Sequence, residues 1–350
     1  MPEVSERDWD QFVTQHPHSQ LLQLRNWGKL KSAHGWQAAH ASIATPQSRL
    51  MGTSLLLFKQ LPMGLGRIAY VPCGPVVDWD RPDLVDGIVN ATMKQARRHG
   101  AMAVVIEPNL FDTPSDQHLL ERQKFAPLDF AIQPRRTVLV NLDVDEDVDI
   151  LAAMKQKTRY NIGLAKRKGV LVRAGTPEDA AAFYQMMQVT AERDTFGIHS
   201  FDYYQDFVRL FARDENDAAQ LLIAEHDGQP LAGLIVTAVG KLGTYLYGAS
   251  ANLKRELMPT YLLQWEAMLW ARRRGCLSYD LWGIPDEDET TLEAQFENRN
   301  DGLWGVYRFK RGFGGQVVRH IGAWVQVISP WRWKLYQLAR RVRKTTGLLG

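Results

Sequence analysis

Cysteine is scarce in this 350-residue sequence: there are two, Cys73 and Cys276, with no CxxC pair and no companion histidines. That scarcity argues against a disulfide scaffold and a zinc site, and it fits a reducing compartment. Long apolar runs are missing too. The best are short stretches such as Thr53 to Phe58, well below the roughly 18 residues that a membrane span needs. Neither sign of charge dominates, since 42 Lys and Arg stand against 39 Asp and Glu, a net charge of +3. The chain is therefore not coated in cations as a histone is, and any nucleic-acid contact must use local patches. There is no GxSxG element, and neither cysteine has an evident histidine partner, so covalent nucleophilic catalysis has little support. The acidic, polar start Met1 to Asp8 lacks the positive-then-apolar order of an export signal; the expected location is cytoplasmic.

What is present is enough apolar material for two cores: 45% of the residues are hydrophobic, and the length exceeds what one core usually supports. Ser54 to Phe58, Ile68 to Val71 and Ala103 to Ile106 read as buried strands, with a helix from Asp83 to His99 ending at Gly100. A second block repeats the scheme. It has a helix from Ala152 to Lys168, a strand Val170 to Arg173 and a helix Glu178 to Arg193. There follow a hairpin Leu221 to Val239 across Asp227-Gly228, a strand Thr244 to Tyr247, a helix Thr260 to Arg274 and the strand Tyr279 to Trp282. A hairpin followed by strand, helix and strand is the order of acetyltransferase-like folds, and Gln37 to Ile43 with Gly52 to Phe58 opens the first block in the same way. The expectation is an α/β (α+β) protein of two tandem acetyltransferase-like (GNAT-type) domains, each a mixed sheet flanked by helices. The first domain is residues 1–147 plus about 320–350, and the second is 148–319. The break falls at the acidic cluster Asp143 to Asp149, and Val317 to Trp324 is a strand that returns to the first domain.

The most distinctive stretch is Tyr307-Arg308-Phe309-Lys310-Arg311-Gly312-Phe313-Gly314-Gly315, a lysine among phenylalanines before a glycine turn. It suits an anion; read alone, such a stretch is more often a solvated hairpin tip. On the helix Ala152 to Lys168, Lys155, Arg159 and Lys166 fall on one arc beside Leu151, Met154 and Ile162, which presents cations to phosphates or to water. In the C-terminal segment, Trp331, Leu335, Leu338 and Val342 share a helical face rimmed by arginine and lysine, as in helices that lie on anionic bilayers. Docking of that face onto the first domain is the alternative.

Several segments, in order along nearly the whole chain, resemble the Fem-type (FemABX) peptidoglycan bridge aminoacyltransferases. They are Gln23 to Lys29, Tyr70 to Val76, Gln133 to Leu142, Met154 to Val170, Thr190 to Arg193 through Tyr203-Tyr204, Tyr245 to Ser250, Tyr279 to Gly283 and Phe309-Lys310. The resemblance implies tandem acetyltransferase-like domains that use no acetyl-CoA and move an amino acid from aminoacyl-tRNA to a stem-peptide amine of a peptidoglycan precursor. Alanine, glycine and serine are the family's usual choices. No heptad pair matches the long coiled-coil arm of some relatives, so the compact form is expected. It further implies catalytic roles for Lys310 and Phe309, precursor phosphate binding at Lys29 beside Trp27, and groove roles for Tyr204, Tyr247 and Glu107. The arginine wanted after His199 is missing, and His199 is a stand-in candidate. Lys155, Arg159 and Lys166 become candidates for tRNA. No cofactor and no metal are expected, since the ester is already activated. The expected partners are charged tRNA, a lipid-linked or UDP-linked muramyl pentapeptide, and peripherally the inner membrane surface. Two other classes stay open: an acyl-CoA N-acyltransferase, which lacks a clear pyrophosphate loop here, and a non-catalytic RNA- or membrane-binding protein.

Overall fold

A computed structural model of the chain describes residues 4–194, 196–211 and 217–345, without the side chains of Met63 and residues 341–345. Met1 to Glu3 of the acidic start, the side chain of Val342 and residues 346–350 lie outside them. The chain folds as two units, Met1–Gln133 with Ile321–Gly350, and Pro134–His320.

The first unit opens with α1 (Glu6–Gln15), capped by Ser5, whose hydroxyl accepts from the Asp8 N–H, and α2 (Arg25–Ala33). There follow β1 (Gln37–Ala44), β2 (Leu50–Gln60), β3 (Arg67–Pro72), β4 (Val76–Val77), α3 (Pro82–Arg98), β5 (Ala101–Glu107), α4 (Pro114–Arg122) and β6 (Ala126–Pro127). Leu56 and Phe58, two apart on β2, meet Ile88, Val89, Met93 and Ala96, which recur at helical spacing on α3. β5 is buried along its whole length and pairs in parallel with β3, as its unbroken apolar run requires.

The second unit contains β7 (Arg136–Asn141), α5 (Asp147–Ala153), α6 (Gln156–Arg167), β8 (Leu171–Ala174), α7 (Ala180–Asp194), α8 (Phe201–Phe211), β9 (Ala219–His226), β10 (Gln229–Val239), β11 (Leu242–Ser250), α9 (Pro259–Arg273), β12 (Ser278–Asp280), α10 (Glu289–Gln295), α11 (Trp304–Lys310) and β13 (Gln316–Arg319). Its sheet runs β13-β7-β12-β11-β10-β9-β8, with β11 and β12 the parallel pair. The expected β9–β10 hairpin turns on Asp227 and Gly228, both at positive φ. The chain then returns to the first unit as β14 (Trp324–Val327) and α12 (Pro330–Thr345), completing the order β1-β2-β3-β5-β14-β6, with β4 on β2. Two mixed sheets flanked by helices are the fold class expected from the sequence.

Four details differ from the sequence reading. The boundary between the units falls between Gln133 and Pro134 rather than at 147/148, because β7 pairs with β12 and β13. Val317 to Trp324 is two strands, β13 in one sheet and β14 in the other. The helix Ala152 to Lys168 is broken where Met154 and Lys155 turn extended and the Lys155 N–H donates to Gly312 O at 2.9 Å. The Tyr307 to Gly315 stretch is a helix end, not a hairpin tip. Among the described residues no helix of the second unit exceeds 15 residues, so none forms a long arm, and no helix is long and apolar enough to cross a membrane.

Candidate active site

In the second unit, Trp304, Tyr307 and Lys310 recur every three residues on α11 and form its buried face. A lysine in that stripe goes into the core with its aromatic neighbours, and Lys310 is only 4% exposed. Its ammonium donates to Gly283 O at 2.8 Å and lies 5.5 Å from the centre of the Tyr245 ring. That is its only hydrogen bond among the described residues, and an ammonium has three donors to place. Burial pushes the Lys310 pKa down to about 7, against the opposing pull of the Asp280 charge.

The Gly283 carbonyl is itself held by a bend at the end of β12. Trp282 sits at φ 61°, and its N–H donates to the Asp280 carboxylate at 2.6 Å. The Thr137 hydroxyl on β7 donates to the same carboxylate, and His320 Nε2 stands 4.0 Å away. A side chain at 283 would meet Pro134 at 2.8 Å, so only glycine fits. Asp280, Thr137 and Gly283 were missed as site residues in the sequence, although all three lie in segments already singled out.

Phe309 is half-buried, with its ring 5.1 Å from Tyr261 and 4.9 Å from Phe313. This aromatic packing fixes the end of α11. A second cluster gathers three expected residues. Tyr204 and Tyr247 have ring centres 5.5 Å apart, Tyr203 and Tyr247 bring their hydroxyls within 3.3 Å, and exposed His199 stacks on Tyr203 at 3.8 Å. Tyr204 belongs to α8. Burial raises its pKa to about 12 and raises that of Tyr247, so both stay neutral phenols at ordinary pH.

In the first unit, Glu107 ends β5 and is buried rather than facing an open cleft. Its carboxylate accepts from the Tyr70 hydroxyl, from Ile132 N at 2.5 Å and from Gln133 N at 3.1 Å, while the Gln133 amide donates to Tyr70 Oη at 2.9 Å. Desolvation raises its pKa despite these donors. Tyr70 and Gln133 were not read as partners of Glu107, because contacts across 37 and 26 residues of sequence leave no local pattern. Lys29 is half-exposed on α2 and pairs with Glu6 at 2.7 Å. Trp27 is buried, with Lys31 over its ring at 4.8 Å.

The basic arc is partly neutralised. Lys155 caps α6 rather than lying within it and stands 3.6 Å from Glu293, Lys166 stands 3.6 Å from Glu266, and Arg159 donates to Met154 O.

The chain is thus a tandem of two mixed sheets flanked by helices, the second of which carries a buried lysine on a built carbonyl. The chain belongs to the FemAB family, whose model matches residues 4–126, 124–227 and 212–341. It is 24% identical to lipid II:glycine glycyltransferase of Staphylococcus aureus (strain USA300), covering 97% of this chain and 95% of the relative. That alignment spans 416 positions against 350 residues here, so at least 66 of them (416 − 350) are segments of the relative without a counterpart. The crystal structure of FemX superposes with a TM-score of 0.83 at 22% identity, covering 96% of this chain and 98% of that one. L-PGS from Bacillus licheniformis shares the fold more loosely, at TM-score 0.51 and 11% identity over 98% and 99% of the two chains.

Proposed function

We propose that this protein transfers an amino acid from aminoacyl-tRNA to the stem-peptide amine of a lipid-linked peptidoglycan precursor, building an interpeptide bridge at the cytoplasmic face of the membrane. The family supports bridge aminoacyl transfer; alanine, glycine or serine is the cargo class. The observation that carries the reading is Lys310, a buried lysine with unspent donors near Tyr245 and Asp280, held by a carbonyl that the fold builds for it.

An aminoacyl ester already carries its activation. The neutral amine attacks the ester carbon, a C–N bond forms and negative charge collects on the carbonyl oxygen. The C–O bond to the ribose then breaks, and the hydroxyl of the tRNA leaves with the proton that the amine gives up. Such a step needs near-attack placement and a fixed positive charge at the oxyanion. Lys310 supplies that charge in its protonated form, which a pKa of about 7 leaves accessible near neutral pH, and Phe309 keeps its helix end rigid through Tyr261 and Phe313. Lys29 exchanges Glu6 for the precursor's pyrophosphate, with Trp27 seating its helix; His199, Tyr204 and Tyr247 line an acceptor groove in the second unit, and Glu107 braces the end of β5 in the first. Lys155, Arg159 and Lys166 meet the tRNA backbone.

The test offers the protein charged tRNA or acetyl-CoA with a stem-peptide precursor and follows the product by mass spectrometry. Product is expected with charged tRNA alone. Lys310→Ala is expected to lower turnover by about 10²-fold or more, the scale of losing one oxyanion donor, with its circular dichroism unchanged. Acetylation instead, or near-normal turnover of the variant, refutes the proposal.

A further inference from the structure

The last helix is built with two opposite faces, and only one of them is used by the first unit. Trp333 is buried at 6% exposure, Tyr336 packs against it at 5.2 Å, and Arg340 pairs with Asp129 at 3.0 Å while lying 3.5 Å over the Phe130 ring. The helix entry is pinned as well, since Ile328 N and Ser329 N both donate to Met102 O on β5. At 3.6 residues per turn, Trp331, Leu335 and Leu338 fall within an arc of about 60° on the side opposite these contacts. They are 61%, 46% and 61% exposed. Three large apolar side chains in water on one stripe cost solvation that scattered exposed residues do not.

Charge identifies what covers them. Arg332 and Lys334 are exposed on either side of the stripe. The sequence of α12 adds Arg341, Arg343 and Lys344, and no Asp or Glu occurs anywhere in residues 302–350. A protein partner would ordinarily meet mixed charge; an apolar stripe flanked only by cations matches the acyl-chain and phosphate layers of an anionic bilayer, where lysine and arginine stems reach up to the headgroups.

We propose that α12 is an in-plane anchor: Trp331, Leu335 and Leu338 enter the interface of an anionic lipid surface, while Arg332 and Lys334 contact lipid phosphates. The Trp333, Tyr336 and Arg340 face keeps the helix fastened to the first unit, so the whole enzyme is held at the membrane. The anchor deepens the lipid-linked reading of the acceptor and takes its purpose from it, but its test needs neither precursor nor tRNA.

Co-sedimentation with vesicles of phosphatidylcholine containing about 30% phosphatidylglycerol, against phosphatidylcholine alone, provides that test. Binding is expected only with the anionic lipid, weakening as salt rises. The variant Leu335→Glu/Leu338→Glu is expected to lose about tenfold or more in partitioning, and Arg332→Gln/Lys334→Gln to lose binding while keeping an apolar stripe. Both pairs are exposed, so the melting temperatures should match that of the unaltered protein. Equal binding by the leucine variant, or equal binding to both vesicles, overturns the anchor. So does self-association, seen in analytical ultracentrifugation, that the leucine variant abolishes, since a second copy would then own the face. Vesicle binding without any aminoacyl transfer would instead sink the transferase reading and leave the anchor standing.

Discussion

At the scale of single residues, the cost of Lys310 is the informative quantity. Burial lowers its pKa from 10.5 to about 7, so between those values the unfolded chain holds a proton that the folded chain has released. The unfolded state binds more protons there, and stability therefore rises with pH across that window and is lowest below it. Lys310→Met should remove this dependence, leaving unfolding free energy flatter between pH 7 and 10.5 in urea titrations at a series of pH values, while aminoacyl transfer is lost. A variant at least as stable as the parent at pH 7 but without turnover would mark Lys310 as a group kept for chemistry at the expense of stability. An unchanged slope would mean that the lysine is not the desolvated group described. In the sequence Lys310 stood out by its phenylalanines, but its burial did not, because that depends on the face of α11 that packs inward. Asp280 shows the same gap: its neighbours were noted, yet its bond to Thr137 joins strands 143 residues apart.

At the scale of elements, short unbroken apolar runs made β2 and β5 legible, and apolar helical segments stopped by a glycine made α3 and α9 legible. The break between α5 and α6 was not legible, because nothing local stops that helix; a bond from Lys155 to the distant Gly312 does. The glycine turn after α11 is the reciprocal case, visible in sequence and explained only by packing. Gly314 and Gly315 lie at φ 77° and 94°. A Cβ at Gly314 would stand 2.6 Å from Ala153 O, and one at Gly315 would collide with Leu139 O of β7. Gly315→Ala should therefore combine left-handed strain with a backbone clash and cost about 2 kcal/mol or more. Gly228→Ala, at φ 71° with open space around it, should cost only about 1 kcal/mol. Denaturant midpoints of the two variants check the difference, and equal midpoints would show that the backbone contact at Gly315 relaxes freely.

At the scale of the molecule, the chain's end was expected to return to the first domain, and the structure shows what it does there. β14 is an interior strand, paired with Ile106 to Ala103 of β5 on one side and with β6 on the other. Truncation after His320 would remove it together with α12 and turn β5, buried on both faces, into an open apolar edge. Every strand of the second unit's sheet, from β7 to β13, precedes the cut. The loss should accordingly be confined to one sheet. In hydrogen-exchange mass spectrometry of the truncated chain, peptides covering Ala101–Glu107 should lose most of their protection, and peptides covering Ala219–Ser250 should keep theirs. Equal loss in both would show that the two sheets unfold as one cooperative body. Retained protection in β5 would mean that the strand order does not depend on the chain's last segment.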